Sequence, residues 1–251
     1  MKPMWSVAIA CLALCVVVGC QVREAPPPSE GKPAAPGAAQ VSVPTHEHMQ
    51  AHFDAIVAVR DALIGGDLAE ARSRAQWIVD NDAEPGIASW REYADEIQRW
   101  AADVVKASAI EPAAAAGAEL ARTCGRCHSG HAVPPDLGAS ALTPPVAGTD
   151  PVAHMRQHQW AAERMWEGLI GPSESRWNAG TAELARAPLT SKEVLSEPSA
   201  VKQVDDLTAR VRALAAEARD IPATAWDTRS AIYGRFLSTC AACHQTIRQT
   251  R

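Results

Sequence analysis

Tyrosine and phenylalanine are scarce in this chain: two of each in 251 residues, with aromatics only 5% of the total against 47% hydrophobic residues. Strands favour aromatic and β-branched side chains, whereas alanine favours helices, so this composition argues against an all-β fold and for an all-α one. A basic tract is also missing. The 24 basic and 29 acidic residues give a net charge of -5, which leaves no footprint for nucleic acid. Nor is there an apolar run long enough for a confident membrane span, which needs roughly 20 residues. The longest stretch, Met4 to Gly19, follows a single charge at Lys2 and has the form of a signal-peptide core.

The end of that stretch, Val17-Val18-Gly19-Cys20, resembles a bacterial lipobox, with Val17 where Leu is usual. The resemblance implies cleavage after residue 19 and a lipid on Cys20, so that residues 1–20 are a targeting segment; an ordinary cleaved signal peptide or an uncleaved anchor are the other readings. Residues 21–45 hold six Pro, five Ala and two Gly without apolar period, a tether composition. Extended as polyproline, those residues would reach up to about 78 Å. The expectation is an exported body held at the periplasmic face of a membrane. Gln21 after Cys20 resembles outer-membrane sorting.

Apart from Cys11, Cys15 and Cys20, the cysteines form two pairs, each followed at once by histidine: Cys124-Gly-Arg-Cys127-His128 and Cys240-Ala-Ala-Cys243-His244. From this composition roughly 0.006 such pentapeptides are expected by chance, and there are two. Cys-x-x-Cys-His reads as a c-type haem attachment site. On a helix, residues three apart share a face, as thioether links to two haem vinyls require. The adjoining His is then the proximal iron ligand. Other readings explain less. A zinc site would join pairs lying 113 residues apart and leave both His unexplained. A thioredoxin-like dithiol wants a βαβ context that the sequence lacks, and two small disulfides would suit an exported chain but make both His coincidental.

The chain also repeats itself. His48-Met49-x-x-His52 recurs as His154-Met155-x-x-His158, and Leu63-Ile64-Gly65 recurs as Leu169-Ile170-Gly171, both at an offset of 106; the motif cysteines and histidines recur at 116. Each copy reads as four helices. In the first they are expected near 45–64, 67–81, 86–107 and 112–128, and in the second near 151–170, 173–187, 198–219 and 223–248, separated by Gly, Pro and Asn punctuation. Trp90, Tyr93, Ile97, Trp100 and Val104 make one apolar face of the third helix, and Val201, Val204, Leu207, Val211, Leu214 and Ala218 do the same in the seventh. Residues 46–131 and 151–251 are the two expected bundles, with 132–150, rich in Pro and Gly, as linker.

The opening helix of each copy carries an oddity. Met49, His52, Ile56, Val59 and Leu63 step by helical spacing, as do Met155, His158, Ala162, Met165 and Leu169, so a Met and a His share the core-facing stripe. A His is costly there without a partner. Met165 reads as core, His46 and His131 as solvated, and most of the tryptophans as core.

In the placement of its motifs the chain resembles the class II c-type cytochromes, the cytochrome c prime-like four-helix bundles with attachment near the domain's C-terminus. The resemblance covers about residues 46–131 and 152–248. Ile247-Arg248 stands where such proteins often have an aromatic followed by a base, and the first copy lacks this. A class I arrangement fails for the second copy, because no Met follows His244. The resemblance implies an all-α chain of two tandem four-helix bundles, each with one covalent haem c. It implies attachment at Cys124, Cys127, Cys240 and Cys243, iron on His128 and His244, and Met49 and Met155 as first choice for the distal seat. His52 and His158 are the rivals, as ligands or propionate partners; His48 and His154 come third, and an empty seat is the remaining case. The implied role is that of a dihaem lipoprotein carrying single electrons between redox partner proteins at the membrane. A gas-binding or peroxide-reactive cytochrome with one five-coordinate haem is the competing role.

Overall fold

The computed structural model describes residues 43–81, 88–137, 142–146, 150–186 and 195–250, with side chains from residue 46 onward. The expected signal segment with Cys20, and the stretch read as tether up to residue 42, lie outside the described residues. All the described residues belong to one unit, and every regular element among them is helical: α1 (Val43–Gly65), α2 (Leu68–Asp80), α3 (Arg91–Lys106), α4 (Ile110–Gly130), α5 (Pro151–Ile170), α6 (Glu174–Arg186), α7 (Pro198–Ala218) and α8 (Trp226–Gln249). A short 3₁₀ turn, Ala88–Trp90, leads into α3. None of these helices is long and apolar enough to cross a membrane.

The local causes are readable. Asp67 caps α2 by accepting from the Glu70 amide, and Asp150 caps α5 by accepting from Val152 and Ala153, with Pro151 in the first turn where a missing N–H costs nothing. Helix α1 begins at Val43, inside the stretch read as tether, and Pro44 is tolerated for the same reason. Gly66, at φ +70, ends the α1–α2 turn in a conformation that glycine adopts freely.

Within each copy, successive helices run antiparallel. His52 near the start of α1 bonds the end of α2 at Asn81, Gln98 in α3 bonds Ile78 at the end of α2, and Glu96 in α3 meets Arg122 and Arg126 in α4. In the second copy Gly180 of α6 lies against Ala161 and Met165 of α5, Trp177 bonds the end of α7 at Ala218, and Arg235 of α8 pairs with Glu217 of α7. The copies share a continuous core, in which Ile56, Val59 and Leu63 of α1, Leu120 of α4, Met165 and Leu169 of α5 and Tyr233 and Phe236 of α8 are buried together.

Among the described tryptophans, Trp166 and Trp177 are fully buried in the core and Trp100 and Trp160 are half-buried against it, so most have the core role expected; Trp90 and Trp226 are half-buried and Trp77 is exposed. The core itself is built largely from alanines, which let helices approach closely. One expectation is corrected: His131 is not solvated. Its ring packs against Trp90 and Tyr93, with centroids 5.8 and 5.7 Å away, and its Nε2 is buried without a partner.

Candidate functional site

Each Cys-x-x-Cys-His run lies on the closing helix of its copy, Cys124, Cys127 and His128 on α4 and Cys240, Cys243 and His244 on α8. All six side chains are half-buried, and no disulfide links the cysteines. Among the described residues no three His, Cys, Asp or Glu side chains converge, so the two cysteine pairs do not come together as a four-thiolate site would need. Burial pushes the Cys124 and Cys240 thiols up to about 12, with help from the neighbouring motif cysteine. Cys127 is raised to about 11, and Cys243 is raised as well, by burial in both cases. Such thiols stay protonated at neutral pH, the opposite of the low-pKa cysteine of a dithiol oxidoreductase.

The histidines are held differently. Burial lowers the pKa of both His128 and His244, so each ring is neutral. His128 Nδ1 lies 2.9 Å from the carbonyl of Ile170, and His244 Nδ1 2.8 Å from that of Ile64. A carbonyl can only accept, so Nδ1 carries the proton and Nε2 keeps its lone pair. That is the tautomer an iron-ligating histidine needs, with its other nitrogen donating to a fixed acceptor.

The opening helices run alongside the closing ones. A Cβ on Gly117 of α4 would meet Leu63 of α1 at 2.7 Å and Val59 at 4.0 Å, and α1 and α4 are antiparallel, so Cys124 and His128 lie from there in the direction of the α1 N-terminus. In the second copy Tyr233 bonds Ala162 and Arg229 bonds Gly168, which carries Cys240 and Cys243 toward the α5 N-terminus, where Met155 and His158 stand. Met49 and Met155 are half-buried, and Met165 is fully buried as core.

The two histidine pairs recur in three dimensions: the rings of His48 and His52 lie 4.4 Å apart between centroids, tilted by 43°, and those of His154 and His158 lie 4.4 Å apart, tilted by 51°. They are not equivalent in detail. His52 is buried, donates from Nε2 to the Asn81 carbonyl at 2.7 Å and meets the edge of Trp77, while in the second copy it is His154 that is buried. His48 Nε2 is buried without a partner.

Two thiols on one helical face and a neutral imidazole with Nδ1 engaged form a donor set of the kind a covalent haem requires. Sequence reasoning missed the acceptors on Ile64 and Ile170, and, though it singled out Arg248, it missed that this side chain donates to the Gly65 carbonyl at 2.5 Å. The signal was the repeated Leu-Ile-Gly, which stood out as a repeat but gave no sign that its carbonyls face a histidine. Comparison with protein-family models, curated proteins and solved structures finds no match, so what the site can do is argued from its residues alone.

Proposed function

We propose that this chain is a dihaem c-type cytochrome that carries single electrons between redox partner proteins, built as two tandem four-helix bundles and tethered to the periplasmic face of a membrane through lipid on Cys20. One observation carries the reading. Both Cys-x-x-Cys-His runs present a neutral histidine whose Nδ1–H is bonded to a main-chain carbonyl, at 2.9 Å in one and 2.8 Å in the other, leaving Nε2 for iron. The same accident at two places with the same motif is hard to explain in a merely structural role.

Cys124, Cys127, Cys240 and Cys243 would hold the two groups, His128 and His244 would supply the proximal nitrogen, and Met49 and Met155 the distal sulfur. Held by these residues, a haem would supply reversible one-electron exchange without a site for a substrate, and His/Met ligation would set a higher potential than bis-His. The protein's share is positional. The buried core shared by α1, α4, α5 and α8 packs against Cys124 and Cys240, and the carbonyls of Ile64 and Ile170 fix the imidazole planes. In the first copy His52 is already engaged with Asn81, which favours Met49 over its rival.

The test is the visible spectrum of the exported, purified protein in both oxidation states, together with its mass. The expected result is two covalent haems per chain with low-spin, sulfur-ligated spectra. Met49→Ala and Met155→Ala should each abolish the low-spin sulfur signature of about half the haem. An unchanged spectrum in either variant overturns that Met assignment, and a five-coordinate wild type supports gas or peroxide chemistry instead.

A further inference from the structure

We propose that the two copies are braced reciprocally: each supplies, from the C-terminal turn of its opening helix, the carbonyl that orients and tunes the motif histidine of the other. The tuning half of this inference rests on the haem reading above, whereas the brace itself does not.

His128, in the first copy, donates to Ile170 in the second; His244, in the second, donates to Ile64 in the first. Ile170 is the last residue of α5 and Ile64 the last but one of α1. Their carbonyls are among the four at each helix end that have no intrahelical partner, and they sit at the negative end of the helix dipole. A histidine N–H placed there satisfies an orphan acceptor and gains a fixed orientation. It also gains basicity at Nε2, because the carbonyl and the helix end both favour positive charge building up on the ring.

The register shows how one helix serves two sites. A Cβ on Gly234 of α8 would touch Ala115 and Ala114 of α4, and Ser230 of α8 bonds Glu119 of α4, so α4 and α8 cross antiparallel near residues 116 and 232. Eight residues beyond the crossing on either side stand Cys124 and Cys240, which puts the motifs about 24 Å apart along the pair at 1.5 Å per residue. From Met49 to Ile64 is about 22 Å by the same rise. Each opening helix is therefore about long enough to span the distance between the two motifs, with its C-terminal turn against the motif of the other copy.

The approach is enforced on both sides. Gln245 Nε2 donates to Gly66 at 3.0 Å and Arg248 to Gly65, and a Cβ on Gly66 would come to 2.9 Å from Gln245 and 3.1 Å from the Ala241 carbonyl. A Cβ on Gly125, inside the first motif, would clash with the Leu169 carbonyl.

Gly66→Ala tests the inference in the full-length haem-loaded chain, because it changes the first copy and should be felt in the second. The two midpoint potentials are measured by spectroelectrochemistry and assigned in backgrounds where the other motif's two cysteines are alanine. Weakening the bond to His244 removes electron donation to iron. The second-copy midpoint is expected to rise by about a tenfold change in the reduction equilibrium, or about 59 mV for one electron, with the first-copy midpoint unmoved. Gln245→Leu, which is uncharged and deletes the Gly66 clamp, should shift the same midpoint in the same direction should Gly66→Ala fail to fold. Equal shifts at both sites, or none at the second, overturn the tuning. The brace has its own readout in ring-nitrogen NMR of the full chain with all four motif cysteines replaced by alanine. A proton on His244 Nδ1 supports the brace, and one on Nε2 overturns it. If the wild-type chain carries no covalent haem, the haem reading falls and the tautomer alone decides whether the brace stands.

Discussion

Gly125 and Ala241 occupy the same place in the repeat, yet they meet the other copy by different means. In the first motif, backbone meets backbone: Gly125 lies so close to the Leu169 carbonyl and the Trp226 ring that a methyl group there would overlap both. In the second motif, the methyl of Ala241 is present and the contact is made by side chains, Gln245 and Arg248, reaching to Gly66 and Gly65. Ser129 and Ala132 stand at the corresponding places in the first copy and cannot reach in that way. A carbonyl can thus be held against a histidine by closing the gap or by spanning it, and a duplicated chain is free to do one in each half.

Arg229 is where this difference costs most. It is fully buried, donates to Ile221 from Nε at 3.1 Å and to Gly168 from Nη1 at 3.0 Å, and lies 4.8 Å from the Trp177 ring. Burial pulls its guanidinium down to about 10, still charged at neutral pH. Its counterpart in the first copy is Ala113. Arg229→Met should lower the unfolding free energy by about 3 kcal/mol, since it strands the Ile221 carbonyl, removes one of the two donors to the Gly168 carbonyl, which Ser173 N–H also reaches, and loses a cation–π contact. Ala113→Gly should cost about 1 kcal/mol. Denaturant unfolding followed by circular dichroism measures both. Equal losses would mean that the end of α5 needs no arginine to hold it.

Next in size is the motif glycine itself. Gly125→Ala gains helix propensity but must displace the end of α5, for a net loss of about 2 kcal/mol in the same assay. Ala241→Gly only loosens a helix, at about 1 kcal/mol. If Gly125→Ala is neutral or stabilising, the backbone approach at the first motif is not what seats Ile170 against His128.

Much of the fold was legible because helix punctuation and helical period agree along this chain. The expected 151–170 coincides with α5, and Val204, Val211, Leu214 and Ala218 are buried on α7 as their spacing requires. The motif residues were legible because three residue types at fixed spacing carry their own chemistry. What stayed hidden is what passes between the copies. Spacing along one helix says which residues share a face, but nothing in it says that the end of α1 lies against α8. Main-chain acceptors have no residue type to read, so the carbonyls of Ile64 and Ile170 left no mark beyond a repeated tripeptide. His131 was misjudged because a histidine near a helix end is usually wet, and the turn from Ala88 to Trp90 that brings an indole over it depends on tertiary packing.

His131 is also the smallest of the asymmetries. At the corresponding place in the second copy is Ile247, which packs beside Leu195, Ala200 and Val204 in an apolar cluster. In the first copy an imidazole fills that role between Trp90 and Tyr93, and both its Nε2 and the Trp90 Nε1 are buried without partners. His131→Ala removes two ring contacts and should cost about 1 kcal/mol. His131→Phe keeps a ring of similar outline and deletes a buried nitrogen, so it should unfold at the same denaturant concentration as the parent or a higher one. If phenylalanine instead costs as much as alanine, the nitrogen itself is being used. The haem-loaded protein would then be the place to look for its partner, because nothing comparable is available to Ile247.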